Sequence, residues 1–230
     1  MLGGGVAVAA LLVVTVCATT TATGGAEEPK RSVLRSASRA PFVDDASPTD
    51  EVATVLVIRH CDKDPESNSP HCTPRGYRRA AWLPTLFGDR GDERFRAPSY
   101  VFARRPESNK KKKRPVVRSV ETVTPLAETF DVAIDDTYGV DTERDLSTRV
   151  KEMVRDGDLT GGLAVVCWKH EQIPQLAYDL GWHTSSKKRT KWKADDYDSI
   201  IELTYTRWTD GYWRVDGKRE HEDFHDTPPV

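Results

Sequence analysis

Two arginines and two histidines stand at positions where they could carry out phosphoryl chemistry. Arg59 and His60 directly follow the apolar run TVLVI, His170 follows the apolar run LAVVCW after a single lysine, and Arg118 opens a helical stretch. Because ligands of α/β sheets bind beyond the carboxyl ends of the strands, we expect these four side chains to converge at one edge. Guanidinium groups donate paired hydrogen bonds to phosphate oxygens. Their positive charge also disfavours a protonated imidazole, which leaves His60 neutral and nucleophilic.

Strands and helices alternate along the part of the chain that must position these residues. Continuous apolar runs predict buried strands, and apolar residues at helical spacing predict amphipathic helices. Thr73 and Ser119 are predicted N-caps, and Gly181 is predicted to end the last helix. The strands are expected over 54–58, 100–103, 163–168, 200–205 and 212–215, and the helices over 73–86, 119–130, 142–156 and 173–180. This order predicts an α/β three-layer sandwich, with a mainly parallel sheet, helices on both faces and a C-terminal β-hairpin.

Composition excludes several classes of protein. The 230 residues include 34 Lys and Arg against 36 Asp and Glu, a net charge of −2, which argues against a dedicated nucleic-acid binder. The chain has no heptad repeat and no apolar run long enough for a multispan membrane protein. Hydrophobic residues make up 37% of the chain, enough to bury one core, and the length predicts one domain.

The chain is predicted to divide into four segments. Residues 1–26 carry no charged side chain, and their 13-residue apolar stretch Val6–Ala18 has the length of a signal-peptide core rather than of a bilayer span. A membrane anchor that is not cleaved is the alternative. Residues 27–51 are expected to be a flexible lead-in, 52–216 the folded domain and 217–230 a loose charged tail. We therefore expect a secreted or secretory-lumen protein without a stable membrane span after cleavage of the leader.

The cysteines leave two interpretations open. The chain contains Cys17, Cys61, Cys72 and Cys167, so removal of the leader leaves three and not all of them can pair within the chain. Cys61 and Cys72 can form a disulfide in an oxidising compartment. Two free thiols are the alternative.

Four sequence blocks resemble those of the histidine phosphatase superfamily, also called phosphoglycerate-mutase-like. VLVIRHCDK and CTPRGYRRA resemble the family's Arg-His strand and the helix after it. RSVETVTPLA is similar to the second arginine block, and VVCWKHEQIPQLAYDLG to the second-histidine strand and helix. The blocks follow the family's order over residues 54–205. There are two departures: Cys61 stands where the family often has Gly, and the segment Arg105–Pro115 lengthens the loop before Arg118.

The resemblance implies catalysis through a phosphohistidine. His60 matches the nucleophile, and Arg59, Arg118 and His170 match the pocket that binds phosphate and stabilises the transition state. It implies no metal and no other cofactor. The predicted activity is hydrolysis of phosphomonoesters, on a small phosphorylated substrate or a phosphorylated macromolecule. A catalytically inactive member that binds phosphorylated ligands and a phosphoglycerate-mutase-type phosphotransferase are the alternatives.

The proton donor for the leaving alcohol is expected among the nearby carboxyl groups. Glu171 directly follows His170, where one branch of the family keeps an acidic donor, usually Asp, and it is the preferred candidate. Asp62 is its rival, and Asp64 and Asp141 are weaker candidates on loops. The alternative role for Glu171 is a carboxylate that stabilises the dipole at a helix N-terminus.

Two motifs lie outside this interpretation. The basic run Lys110–Arg114 is interpreted as a solvated loop, with a charged pocket mouth and a nuclear or nucleic-acid patch as alternatives. HEDFH at 221–225 matches the H-E-x-x-H zinc pattern. That pattern needs a buried amphipathic helix, which a charged tail with two prolines does not offer, so a zinc protease is not predicted.

Overall fold

The computed structural model describes residues 46–89, 93–108, 114–184 and 191–226. The predicted leader at 1–26, most of the lead-in and most of the basic run Lys110–Arg114 lie outside the described residues. None of the helices in the described ranges combines the length and the apolar character that crossing a bilayer requires.

The strands of the described chain form one mixed sheet. Its order is β3-β2-β4-β1-β5-β6, in which β3, β2, β4 and β1 run parallel and β5 and β6 add an antiparallel edge. The predicted mainly parallel sheet with a C-terminal hairpin is confirmed. The strands are β1 (Pro48–Arg59), β2 (Tyr100–Ala103), β3 (Ile134–Asp135), β4 (Leu163–Trp168), β5 (Ser199–Trp208) and β6 (Trp213–His221).

Helices cover both faces of the sheet, as the alternating pattern predicts. Val55 and Val57 of β1 belong to a core with helices α3 (Glu143–Asp156) and α4 (Ile173–Asp179). Leu56 and Ile58 point to the opposite face, where they share a core with α2 (Arg118–Phe130). Because successive side chains of a strand alternate between faces, one apolar run supplies both cores. The three-layer sandwich is therefore confirmed.

The first helix, α1 (Pro74–Trp82), begins as predicted and ends earlier. Thr73 is its N-cap, and its Oγ1 accepts a hydrogen bond from the backbone N of Gly76 at 3.2 Å. The predicted helix continues to Leu86, whereas the structure has a 3₁₀ turn over Leu83–Leu86. Pro84 has no N–H to continue the α-helical hydrogen bonds, which accounts for the tighter turn.

The predicted N-cap of α2 is wrong. Ser119 lies inside the first turn, and Val117 occupies the cap position without a side-chain hydrogen bond. The backbone N of Val117 donates to Pro70 O at 3.2 Å, and Val117 O accepts from Glu121 N at 3.0 Å. These backbone contacts place the cap two residues before the serine, and the helix begins at Arg118.

Ordered structure extends beyond both predicted ends of the domain. Strand β1 begins at Pro48, inside the segment expected to be a flexible lead-in. Strand β6 continues to His221, inside the segment expected to be a loose tail. Glu222 follows it, buried against Arg79 of α1, and its Oε2 accepts from Arg79 Nε at 2.6 Å. This buried ion pair ties the chain after β6 to the body of the domain.

Candidate active site

The parallel strands bring the predicted residues to one edge of the sheet. Arg59 pairs with Trp168 and Ala103 with Cys167, so β1, β4 and β2 end almost level. Backbone hydrogen bonds continue past the strand ends, from His60 N to Trp168 O at 3.1 Å and from Arg104 N to Cys167 O at 3.0 Å. The residues that follow each strand therefore emerge side by side, as expected for an α/β ligand site.

Four of the five predicted site residues line one cavity of about 420 Å³: His60, Arg118, His170 and Glu171. Arg59 is not among the residues that line it. Charged residues that the sequence did not assign to the site complete much of the wall: Lys63, Arg104, Glu107 and Lys169.

His60 is buried and held in one tautomer. Its Nδ1 lies 2.8 Å from the carbonyl oxygen of Cys61, which can only accept a hydrogen bond, so Nδ1 carries the proton. Nε2 is then the unprotonated nitrogen of the neutral ring. Burial, together with the positive charges of Arg118 and Arg59, lowers the pKa of His60 well below its usual range, although the bond to Cys61 raises it. The ring is therefore neutral at physiological pH and available as a nucleophile.

The backbone after His60 is fixed by a covalent bridge and a buried hydroxyl. Cys61 and Cys72 form a disulfide with a Cα–Cα distance of 5.6 Å, which decides between the two interpretations of these cysteines. Cys61 N donates to Thr122 Oγ1 at 2.7 Å, and the same hydroxyl donates to Arg118 O at 2.6 Å. One threonine thus links the turn after His60 to the first turn of α2.

Gly76 allows α1 to pack against this turn. A Cβ at this position would lie 2.9 Å from Asp62 N and 3.0 Å from Asp62 O, closer than backbone atoms tolerate. The glycine of the TPRG block is therefore required for the close approach of α1 to the chain beyond His60.

Arg59 is fully buried and anchored by the backbone. Its Nη1 donates to the carbonyl oxygens of Lys193, Ala194 and Asp196, the last at 2.7 Å, and its guanidinium lies 3.7 Å from the ring centre of Tyr197. Its Nε and Nη2 have no hydrogen-bond partner within the described ranges. Burial lowers its pKa from the usual value, against the pull of Tyr197 and Asp196. The side chain therefore brings a desolvated positive charge next to His60, with two buried donors unused.

Arg118 reaches the cavity from the start of α2. Its Nη1 donates to Ser69 O at 2.8 Å, while its buried Nε has no partner among the described residues. Burial lowers its pKa from the usual value, and Tyr197 and Glu121 act in the opposite direction. An unused guanidinium donor that faces a cavity is suited to an anionic oxygen.

His170 and Glu171 form a charged group at the end of β4. His170 Nδ1 lies 3.5 Å from Glu171 Oε2, which also lies 3.0 Å from Lys169 Nζ. Burial and Arg59 lower the pKa of His170, against Glu171. Burial alone would raise the pKa of Glu171, but Lys169 and His170 lower it below its usual range. The carboxylate is therefore ionised at neutral pH.

Asp62, the rival proton donor, is not part of the cavity wall. Its Oδ1 pairs with Arg75 of α1, and its backbone O accepts from Thr73 N at 3.0 Å. The structure thus gives Asp62 a role in holding α1 against the turn after His60.

One of the residues that sequence reasoning missed had a usable signal. Arg104 directly follows β2, so the strand-end rule that selects His60 and His170 also selects it. Lys63 lies three positions after His60, in a loop without periodicity. Tyr197 lies 137 positions after His60, and no motif marks it; it reaches the site through its contact with Arg59. For Lys63 and Tyr197 only the folded chain reveals the proximity.

Comparison with known proteins adds distant structural likenesses. No family model and no curated protein sequence matches the chain. The crystal structure of SixA from Agrobacterium tumefaciens, assigned as a phosphohistidine phosphatase, is 13% identical with a TM-score of 0.34, over 68% of this chain and 93% of that one. A mycobacterial glucosyl-3-phosphoglycerate phosphatase, solved with inorganic phosphate, is 13% identical with a TM-score of 0.39, over 75% of this chain and 100% of that one. Likenesses this distant do not assign an activity to this chain.

Proposed function

We propose that this protein is a phosphomonoester hydrolase that works through a phosphohistidine on His60. The observation that carries the proposal is the state of His60: a buried, neutral imidazole whose Nδ1 is bound to Cys61 O, in a cavity shared with Arg118 and His170. A neutral imidazole nucleophile surrounded by cationic donors is suited to attack on phosphorus.

In the first step Nε2 of His60 attacks phosphorus in line with the ester oxygen. The N–P bond forms as the P–O bond breaks, and the electron pair of that bond leaves with the alcohol oxygen, which takes up a proton from solvent water or from a general acid. The bond from Nδ1 to Cys61 O stabilises the positive charge that the imidazole gains. Arg118 and His170 line the cavity where charge develops on the phosphoryl oxygens, and we assign them to its stabilisation.

In the second step water attacks the phosphohistidine. An O–P bond forms, the N–P bond breaks, and its electron pair returns to Nε2, which regenerates the neutral imidazole. Inorganic phosphate is released. Arg59 remains our candidate for a further phosphate contact, because its Nε and Nη2 are buried without a partner in the described residues.

The proton donor that the sequence favours, Glu171, stays a prediction. Its lowered pKa weighs against the role, because an ionised carboxylate has no proton to give to the leaving alcohol. The same charge suits a different role, since Glu171 Oε2 lies close enough to His170 Nδ1 to stabilise a protonated ring.

The test is hydrolysis of p-nitrophenyl phosphate across a pH series, with trapping of the phosphoenzyme. We expect turnover and an acid-labile phosphoenzyme in the wild-type protein, and a loss of at least about a thousandfold in His60→Ala. His183→Ala, an exposed histidine outside the cavity, is the matched control and should keep full activity. A wild-type protein that binds inorganic phosphate without turnover would instead support an inactive phosphate-binding protein, and full activity in His60→Ala would refute the mechanism.

A further inference from the structure

The cavity around His60 carries several positive charges. Four cationic side chains line it, Lys63, Arg104, Arg118 and Lys169, and Arg59 lies buried next to His60 in the chain. Among the described residues, the carboxylates that line the same cavity are Glu107 and Glu171. The wall therefore carries a net positive charge. The ion pairs between these side chains show which cations have no carboxylate partner.

Two of the cations are neutralised by these carboxylates. Arg104 Nη2 lies 2.9 Å from Glu107 Oε2, and Lys169 Nζ lies 3.0 Å from Glu171 Oε2. Glu107 is also engaged by Arg105, at 3.1 Å. Both carboxylates therefore already have an ion-pair partner, and Glu171 acts on Lys63 only from beyond ion-pair distance.

Lys63 is the most unusual of the cations that remain. Within the described ranges its ammonium group forms no ion pair and donates no hydrogen bond, although its backbone N lies 3.5 Å from the Tyr197 hydroxyl. The residue is half-buried and lines the cavity wall. Burial, and then the like charges of Arg118 and Arg59, lower the pKa of Lys63 from its usual value, against the weaker effect of Glu171. An ammonium group that has no ion pair among the described residues and lies close to other cations would be stabilised by an additional anion in the cavity.

The charge of one phosphoryl group does not account for Lys63. A phosphate monoester carries about 1.5 to 2 negative charges at neutral pH, which Arg118 on the cavity wall and the buried charge of Arg59 near His60 can balance. We propose that the Lys63 ammonium group binds a second anionic group of the substrate, a carboxylate or a second phosphate. The preferred substrates are then phosphomonoesters that carry a further negative charge, and this inference rests on the proposed phosphate site.

Direct binding of phosphonates tests this without turnover. Titration calorimetry on the full chain compares methylphosphonate, which carries one anionic group, with phosphonoacetate and methylenediphosphonate, which add a carboxylate and a second phosphonate. We expect at least one of the two larger ligands to bind about tenfold tighter than methylphosphonate, the effect of one hydrogen bond between charged groups. The affinity ratio is the affinity for the larger ligand divided by the affinity for methylphosphonate. The larger ligand with the higher ratio identifies the second anion as a carboxylate or a phosphate.

Substitutions then assign the effect to Lys63. Lys63→Met should reduce the ratio below about threefold, whereas Lys63→Arg should keep most of it because the charge remains. Lys151→Met, which removes an exposed lysine from α3, is the matched control and should leave the ratio unchanged.

Three results would overturn the proposal: equal binding of all ligands by the wild-type protein, an unchanged ratio in Lys63→Met, or an equal loss for all three ligands in that variant. The last result would place Lys63 on the phosphoryl group itself. A failure of the proposed function is recognised separately, since absence of p-nitrophenyl phosphate hydrolysis does not affect these binding ratios.

Discussion

The disulfide next to the proposed nucleophile allows a quantitative prediction about stability. Cys61 and Cys72 are 11 residues apart, and a cross-link that closes a loop of this length lowers the conformational entropy of the unfolded chain. The chain-entropy relation gives a stabilisation of about 3 kcal/mol at 25 °C. For a domain of this size, each kcal/mol corresponds to about 2–4 °C in Tm, so reduction should lower Tm by about 6–12 °C.

Thermal unfolding followed by circular dichroism checks this number. The wild-type protein is scanned oxidised and after reduction with excess dithiothreitol, and a thiol titration confirms that two additional thiols have appeared. The matched control is the Cys61→Ala/Cys72→Ala variant, which should unfold at the same temperature with and without the reductant. The free thiol of Cys167 is buried and present in all samples, so it cannot produce a difference between them. A wild-type Tm that does not change on verified reduction would refute the reasoning.

Two further predictions concern charged groups whose surroundings the structure defines. Arg79→Met leaves the buried Glu222 carboxylate without its partner and should cost about 3–5 kcal/mol at neutral pH. Burial raises the pKa of Glu222 to about 6 even with Arg79 present, and a group with a raised pKa stabilises the fold at low pH and loses this contribution as pH rises. In urea unfolding, the loss in the free energy of unfolding caused by Arg79→Met should therefore be smaller at pH 5 than at pH 8. Equal losses at the two pH values would contradict the raised pKa of Glu222. For Glu171→Gln, the lowered pKa of the carboxyl group predicts that hydrolysis of alkyl phosphates and of p-nitrophenyl phosphate slows to a similar degree. A selective loss of activity on alkyl phosphates would instead identify Glu171 as the general acid, the role that the sequence favours.

Much of the fold could be predicted because it follows from local patterns. The apolar run at 54–58 is long enough for a strand and too short for a helix, and it fills both cores from one strand. Helix α3 follows directly from its spacing, since Leu146, Val150, Met153 and Val154 are all buried on one face. The predicted Ser119 N-cap is wrong because the start of α2 depends on a contact that is distant in sequence. The start of α2 is set by a backbone contact to Pro70, which lies 47 positions earlier, and no local pattern records that contact.

The candidate site divides in the same way. The ends of the predicted parallel strands, and the helix that follows the second of them, place His60, His170 and Arg118 at one edge from sequence alone, and all three line one cavity. The orientation of these side chains and the tautomer of His60 could not be predicted from the sequence. The proton on Nδ1 of His60 depends on the position of one carbonyl oxygen, and that position depends on the bridge between Cys61 and Cys72.

Long-range charge balance was decided only by the tertiary structure. The segment after Gly217 reads as a charged tail because its residues are polar, yet Glu222 is buried against Arg79, 143 positions away, since a paired charge can be placed where a single one cannot. Lys63 is an ordinary loop lysine in the sequence, and only the folded chain places it on the cavity wall close to Arg59 and Arg118, without an ion pair among the described residues. Residue types and their periodicity determine which elements form, whereas the field at each side chain depends on neighbours that only the folded chain brings within a few ångströms.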